Sequence, residues 1–122
     1  DEAANIRQSR RLERAGALAI CRSTADIRAD MEARRFAAVL HIEGCEPITE
    51  DLSTLETLYA AGLRSLGPVW SRHNRFGHGV PFAYPSSPDT GPGLTEAGVA
   101  LVKECDRLGI MIDLAHITEQ GF

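Results

Sequence analysis

The sequence predicts an α/β fold built on a parallel sheet. Short apolar runs rich in β-branched and small residues recur along the chain, helical stripes separate them, and the order is strand, helix, strand, helix, strand. Strands joined through a helix lie parallel, with the helices packed outside the sheet. A barrel of eight βα units takes roughly 250 residues, whereas an open doubly wound sheet needs fewer. At 122 residues the chain holds three or so consecutive units, so on the barrel reading it is an incomplete, partial domain. Alone, such a piece is expected to expose apolar strand faces and edges and not to fold stably.

The elements follow in order. The first fifteen residues favour helix, and "ALAICR" (17–22) is a short strand candidate. Ser23 or Thr24 then caps a helix running to about Arg35, with Ile27, Met31 and Arg34 on one stripe. "FAAVLHIE" (36–43) is a nearly unbroken apolar run suited to a strand covered on both faces. The turn "GCEPITE" follows, where Pro47 forbids ladder pairing.

Leu52, Leu55, Leu58 and Tyr59 recur at helical spacing up to a stop at Gly62, and "LRSLGPVW" (63–70) reads as the next strand. Residues 71–93 hold four of the six prolines and four glycines without periodicity, which reads as a functional loop on the active-site side. Thr95 caps the last helix, with Leu94 and Val99 at staple positions. Leu101, Val102, Cys105 and Leu108 form its buried stripe, Gly109 ends it, and "IMIDLAH" (110–116) is the third strong strand.

Composition excludes several classes. With 43% hydrophobic and 25% charged residues and a net charge of -4, the chain has one core and no basic footprint for nucleic acid. Arg7, Arg10, Arg11 and Arg14 are interleaved with Gln8 and Glu13 as a solvated helix face. No apolar stretch reaches the length of a membrane span. Cys21, Cys45 and Cys105 lack CxxC spacing and are odd in number, so they read as buried small hydrophobes in a reducing setting, which favours the cytoplasm.

Polar residues gather where the strands end, the side on which parallel α/β folds bind ligands. Glu43 closes an apolar strand and is followed by Gly44, which allows a sharp turn. Burying that charge costs desolvation unless a cation meets it. Trp70 with Ser71 and Arg72 ends the second strand, and Asp113 and His116 end the third. On period two His41 shares Glu43's face one layer deeper, and counting back from His116 turns Asp113 toward the outer helices unless the strand end is irregular. On position alone, Glu43 also suits a helix cap or ion pair, His116 a core or surface histidine, and Asp113 the cap of a helix near Thr118.

Four segments, "HIEG", "DLSTLETLYAAGLRSLGPVWSR", "FGHGVPF" and "GLTEAGVALVKECDRLGIMIDLAH", resemble the membrane (renal-type) dipeptidase family, the M19 metallopeptidases, and particularly its bacterial branch. The resemblance runs from about Arg22 to the end. It implies a (β/α)8 TIM-type barrel with two zinc ions that hydrolyses dipeptides through a hydroxide held between the metals. Glu43 would bridge both ions and His116 would bind one, making these two the metal and catalytic residues of this segment.

The family's His-x-Asp pair would lie upstream, and a further histidine and a proton-donating aspartate downstream, so the segment alone would be inactive. Trp70 stands where many relatives carry the histidine of "LTH", which orients the substrate. Trp70, His73 and His78 are therefore the candidate substrate contacts, with Cys45 structural. The resemblance also implies a homodimeric parent. The alternatives are another amidohydrolase-like barrel enzyme, or an inactive barrel used for binding.

Overall fold

The structure, a computed structural model, describes residues 2–122. Its elements are α1 (Glu2–Arg14), β1 (Ala19–Ile20), α2 (Thr24–Glu32), β2 (Ala37–Ala38), β3 (Leu40–Glu43), α3 (Ser53–Ala61), β4 (Leu63–Gly67), α4 (Glu96–Leu108) and β5 (Met111–Ile112). Every described strand pair is parallel: β1 with β2, and β3, β4 and β5 in that order. Each crossover within the second sheet carries a helix, as the alternating pattern requires.

Local chemistry sets the helix ends. The Ser23 hydroxyl accepts from the Asp26 N–H at 3.1 Å, and the Thr95 hydroxyl accepts from the Gly98 N–H at 3.1 Å. Each satisfies a backbone donor that the first turn leaves without an intrahelical acceptor. Helices α3 and α4 end on Gly62 and Gly109 in the left-handed region, as the sequence predicts. The start of α3 uses a different device: Leu52 is itself left-handed, and Asp51 Oδ1 and Thr49 Oγ1 accept from the Ser53 and Thr54 N–H groups at 3.1 and 3.3 Å.

Three expectations need correction. The run "FAAVLHIE" is two strands rather than one, because the chain changes partner at Val39, from β1 to β4, with a register irregularity between Leu40 and His41. Phe36 is 72% and Val39 43% exposed, the apolar exposure expected of a partial domain. In α2 the inward residue is Asp30, not Met31, which is exposed. Arg35 Nε donates to the Asp30 carboxylate at 2.7 Å and the Cys21 thiol donates to it at 3.3 Å, so a partnered charge takes the position expected for an apolar side chain. The third strand stops at Ile112 instead of running to His116, with consequences for the site.

The core lies between the β3–β4–β5 sheet and helices α3 and α4, where Ile42, Ile48, Leu55, Leu66, Leu101 and Cys105 are buried. The three cysteines are buried and free. Residues 71–93 contain no helix or strand, but the first half is fastened down: Phe76 is fully buried, and bridges join Asn74 to Gly77, Gly77 to Leu94 and Gly79 to Ile117. At Gly79 the chain passes so close to the end of β4 that a Cβ would stand 1.7 Å from the Trp70 carbonyl oxygen.

Gly79→Ala is therefore expected to lift this loop from the sheet. The expected cost is about 1–3 kcal/mol of stability, with new proteolytic cleavage between residues 71 and 93; an unchanged melt and digestion pattern would contradict the close packing. Burial also pushes the Cys105 thiol up to about 12 from an ordinary 9.0. The unfolded chain releases this proton first, so stability should be retained below about pH 9 and fall as pH rises toward about 12. Chemical denaturation across that range checks the sign.

Candidate functional site

Strand register decides which side chains meet. His41 pairs with Ser65, Glu43 with Gly67, and Ser65 with Met111, so these residues share one face of the sheet. His41, Ser65 and Met111 form a deeper row; Glu43 and Gly67 stand at the carboxyl edge. The Asp113 N–H donates to the Leu66 carbonyl at 2.8 Å, extending the ladder by one step and placing Asp113 in the edge row beside Gly67. There its Oδ2 lies 3.7 Å from His41 Nε2, while His41 Nδ1 is 2.8 Å from Ser65 Oγ.

Asp113 thus faces the sheet side that carries Glu43, not the outer helices. Counting back from His116 assumed an unbroken strand, but the chain turns first. Asp113 Oδ1 accepts from the Ala115 N–H at 2.9 Å, closing a local turn, and His116 takes a left-handed backbone with φ 63°. Residues 118–121 form a turn rather than a helix, so Asp113 caps nothing there.

The turn swings His116 back over the edge. Its Nε2 comes to 2.9 Å from Glu43 Oε1, across 73 positions of sequence. Its Nδ1 lies 2.9 Å from Ser71 Oγ. The Val80 N–H donates to the His116 carbonyl at 2.8 Å, so the loop after β4 grips both the ring and the backbone of this histidine.

Behind Glu43 the backbone is equally constrained. Gly44 adopts φ 89°, a value that side chains rarely allow, and its N–H donates to the Gly67 carbonyl at 3.0 Å. The buried Cys45 thiol donates to the same carbonyl at 3.3 Å. Burial, chiefly, pushes this thiol far above its ordinary range, so it stays protonated and serves as packing, not as a ligand.

Aromatic rings flank the pair. Trp70 stands 6.1 Å and Phe82 6.5 Å from the His116 ring, and 5.5 Å from each other, centre to centre. Trp70 is partly exposed and Phe82 largely so. His73 and His78 pack on one another at 4.3 Å, and His78 Nδ1 lies 3.3 Å from the Gly93 carbonyl oxygen. His73 also lines a polar hollow of about 390 Å³ with Glu46, Arg72, Asn74 and Arg75. Among the described residues no group of three or more His, Cys, Asp or Glu side chains could hold a metal ion, so Glu43 and His116 offer two converging donors.

The model of the membrane dipeptidase family, peptidase family M19, matches residues 3–122. The chain belongs to the membrane dipeptidase family. A metallopeptidase from Rhodobacter sphaeroides, crystallised with a phosphinate mimic of the dipeptide L-Ala-D-Ala, is 50% identical with a TM-score of 0.90, covering 98% of this chain and 34% of that one. The crystal structure of dipeptidase AC, another metallopeptidase of the family, is 50% identical with a TM-score of 0.92, covering 95% and 34%. An uncharacterised protein encoded 5′ of pqqA in Klebsiella pneumoniae is 47% identical over 108 residues, 88% of this chain and 40% of that protein. The chain thus spans about a third of the length of its solved family relatives.

Within this membrane dipeptidase segment, the sequence places Ser71 at a strand end without giving it a role, and it does not point to Phe82. Ser71 carried a legible signal, a hydroxyl directly beyond a strand end; Phe82 carried none, being one apolar residue in an aperiodic loop. Among the described residues no helix is long and apolar enough to cross a membrane. Because Cys45 is buried and its thiolate disfavoured, thiol reagents at pH 8 should leave it unmodified in the folded protein. Rapid native labelling of Cys45, read by mass spectrometry, would contradict the packing role.

Proposed function

We propose that this chain forms consecutive βα units of a (β/α)8 barrel and supplies part of the dinuclear zinc site of a dipeptidase. The observation that carries the reading is the 2.9 Å approach of His116 Nε2 to Glu43 Oε1 at the carboxyl edge of the sheet. Donors about 2.0–2.2 Å from a tetrahedral zinc would stand roughly 3.4 Å apart, so the two atoms already converge to within about half an ångström of a zinc ligand pair's spacing. Carboxylate and imidazole also match the borderline character of zinc. Two side chains fall short of a complete site, and the others come, on this reading, from segments beyond the third of the fold that the chain spans.

Zinc held there would supply Lewis acidity and would lower the pKa of a bound water to about 7. Glu43 would help hold the metal, its carboxylate charge offsetting part of the cationic charge. His116 presents a neutral nitrogen whose direction is set by the turn at Asp113. Trp70 and Phe82 form an apolar wall beside His116, which excludes water and receives an apolar side chain of the substrate. His73, in its hollow with Arg72 and Arg75, is placed to meet a charged end of the dipeptide, and His78 supports its ring. The relative crystallised with a dipeptide mimic supports this substrate class.

Glu43→Gln in the complete polypeptide removes the charge while keeping the shape. It should lose most bound zinc and at least about a hundredfold in dipeptide turnover; near-normal zinc content and turnover would refute the proposal. Phe82→Ala should raise KM several-fold for dipeptides with apolar side chains and leave kcat nearly unchanged, the pattern of lost uniform binding. A fall in kcat at constant KM would count against a wall and for a role in the chemistry.

A further inference from the structure

We propose that Ser71 is a positioning residue for His116, its hydroxyl holding the ring in the direction that turns Nε2 toward Glu43. The inference rests on the metal-site reading above and deepens it. Among the described residues the two ring nitrogens of His116 have two side-chain hydrogen-bond partners, Glu43 at Nε2 and Ser71 at Nδ1, each at 2.9 Å. Backbone contacts hold the histidine's main chain through Val80 but leave the ring free to rotate. The Trp70 and Phe82 rings, at 6.1 and 6.5 Å between centres, confine it without orienting it.

A ring nitrogen that binds a cation must present a lone pair, which puts the single proton of neutral imidazole on the other nitrogen. In the tautomer protonated at Nε2, that N–H donates to the Glu43 carboxylate and Nδ1 accepts from the Ser71 O–H. With Nε2 holding a cation, the ring N–H would be at Nδ1 and the Ser71 oxygen would accept its hydrogen bond. A hydroxyl can donate or accept by rotating its hydrogen, so Ser71 satisfies His116 in both states without moving a heavy atom. A carbonyl or an ammonium could serve only one of them.

Ser71 is itself well placed for this role. It follows the end of β4 between Trp70 and Arg72, which bridge one another, and Arg72 Nε donates to Glu46 Oε1 at 3.0 Å. The hydroxyl thus sits on anchored chain. An outer partner of this kind raises metal affinity by fixing tautomer and ring direction, and its loss typically costs about 10–100-fold.

The test compares zinc affinity, by chelator competition, in the complete wild-type polypeptide and its Ser71→Ala, Ser71→Thr and Glu43→Gln variants, with thermal melts of the metal-free forms. Ser71→Ala should weaken zinc binding about 10–100-fold with an unchanged metal-free melt, and Ser71→Thr, which keeps the hydroxyl, should stay within about threefold of wild type. Unchanged affinity in Ser71→Ala, beside zinc loss in Glu43→Gln, would overturn this inference alone. Ser71→Thr as weak as Ser71→Ala would also overturn it, because packing and not the hydroxyl would then be responsible. A wild-type protein that takes up no zinc would overturn the metal-site reading and this inference together.

Discussion

The structure turns on a carboxylate placed at the carboxyl end of a parallel strand, directly after a buried isoleucine. Ile42 is in the core and Glu43 is the next residue, so the chain passes from apolar interior to charge in one step. The Glu43 side chain is half exposed, and the parallel register determines which side chains can reach it. With Glu43 beside Gly67 and Asp113 in the same row, no side chain on β4 intervenes, and the turn after β5 reaches across. A side chain at Gly67 would stand in that gap, 3.9 Å from Asp113 Cβ.

The same edge organises the rest of the molecule. Gly44 and Cys45 both bond the Gly67 carbonyl, tying the turn after β3 to the end of β4. Ser71 and Val80 tie the loop after β4 to His116 on the third strand's turn. The carboxyl ends of three strands are thus linked by hydrogen bonds that bypass the sheet. Rigid support of this kind is what a site built from separate segments requires. The left-handed backbone of His116 fits that picture, because a sparsely populated conformation persists where several contacts over-determine it.

Much of this was legible in the sequence because it depends on local chemistry. Ser23 and Thr95 as caps, and Gly62 and Gly109 as stops, follow from donor satisfaction and from the left-handed region alone. Glu43 and His116 stood out as polar residues at strand ends. What could not be read depends on partners distant in the chain. The division of "FAAVLHIE" reflects a change of neighbour at Val39, and Asp30 is buried because Arg35 and Cys21 meet it. The face of Asp113 was misread because alternation was carried through a turn that the residue's own side chain creates. Ser71 gains meaning only beside a histidine 45 positions away.

The central claim is that Glu43 and His116 bind a common metal ion, and anomalous diffraction at the zinc edge from crystals of the complete, zinc-loaded polypeptide tests it most directly. The account predicts a peak within about 2.0–2.2 Å of both a Glu43 carboxylate oxygen and His116 Nε2. Zinc located elsewhere, with these two side chains still hydrogen-bonded directly to each other, would contradict it.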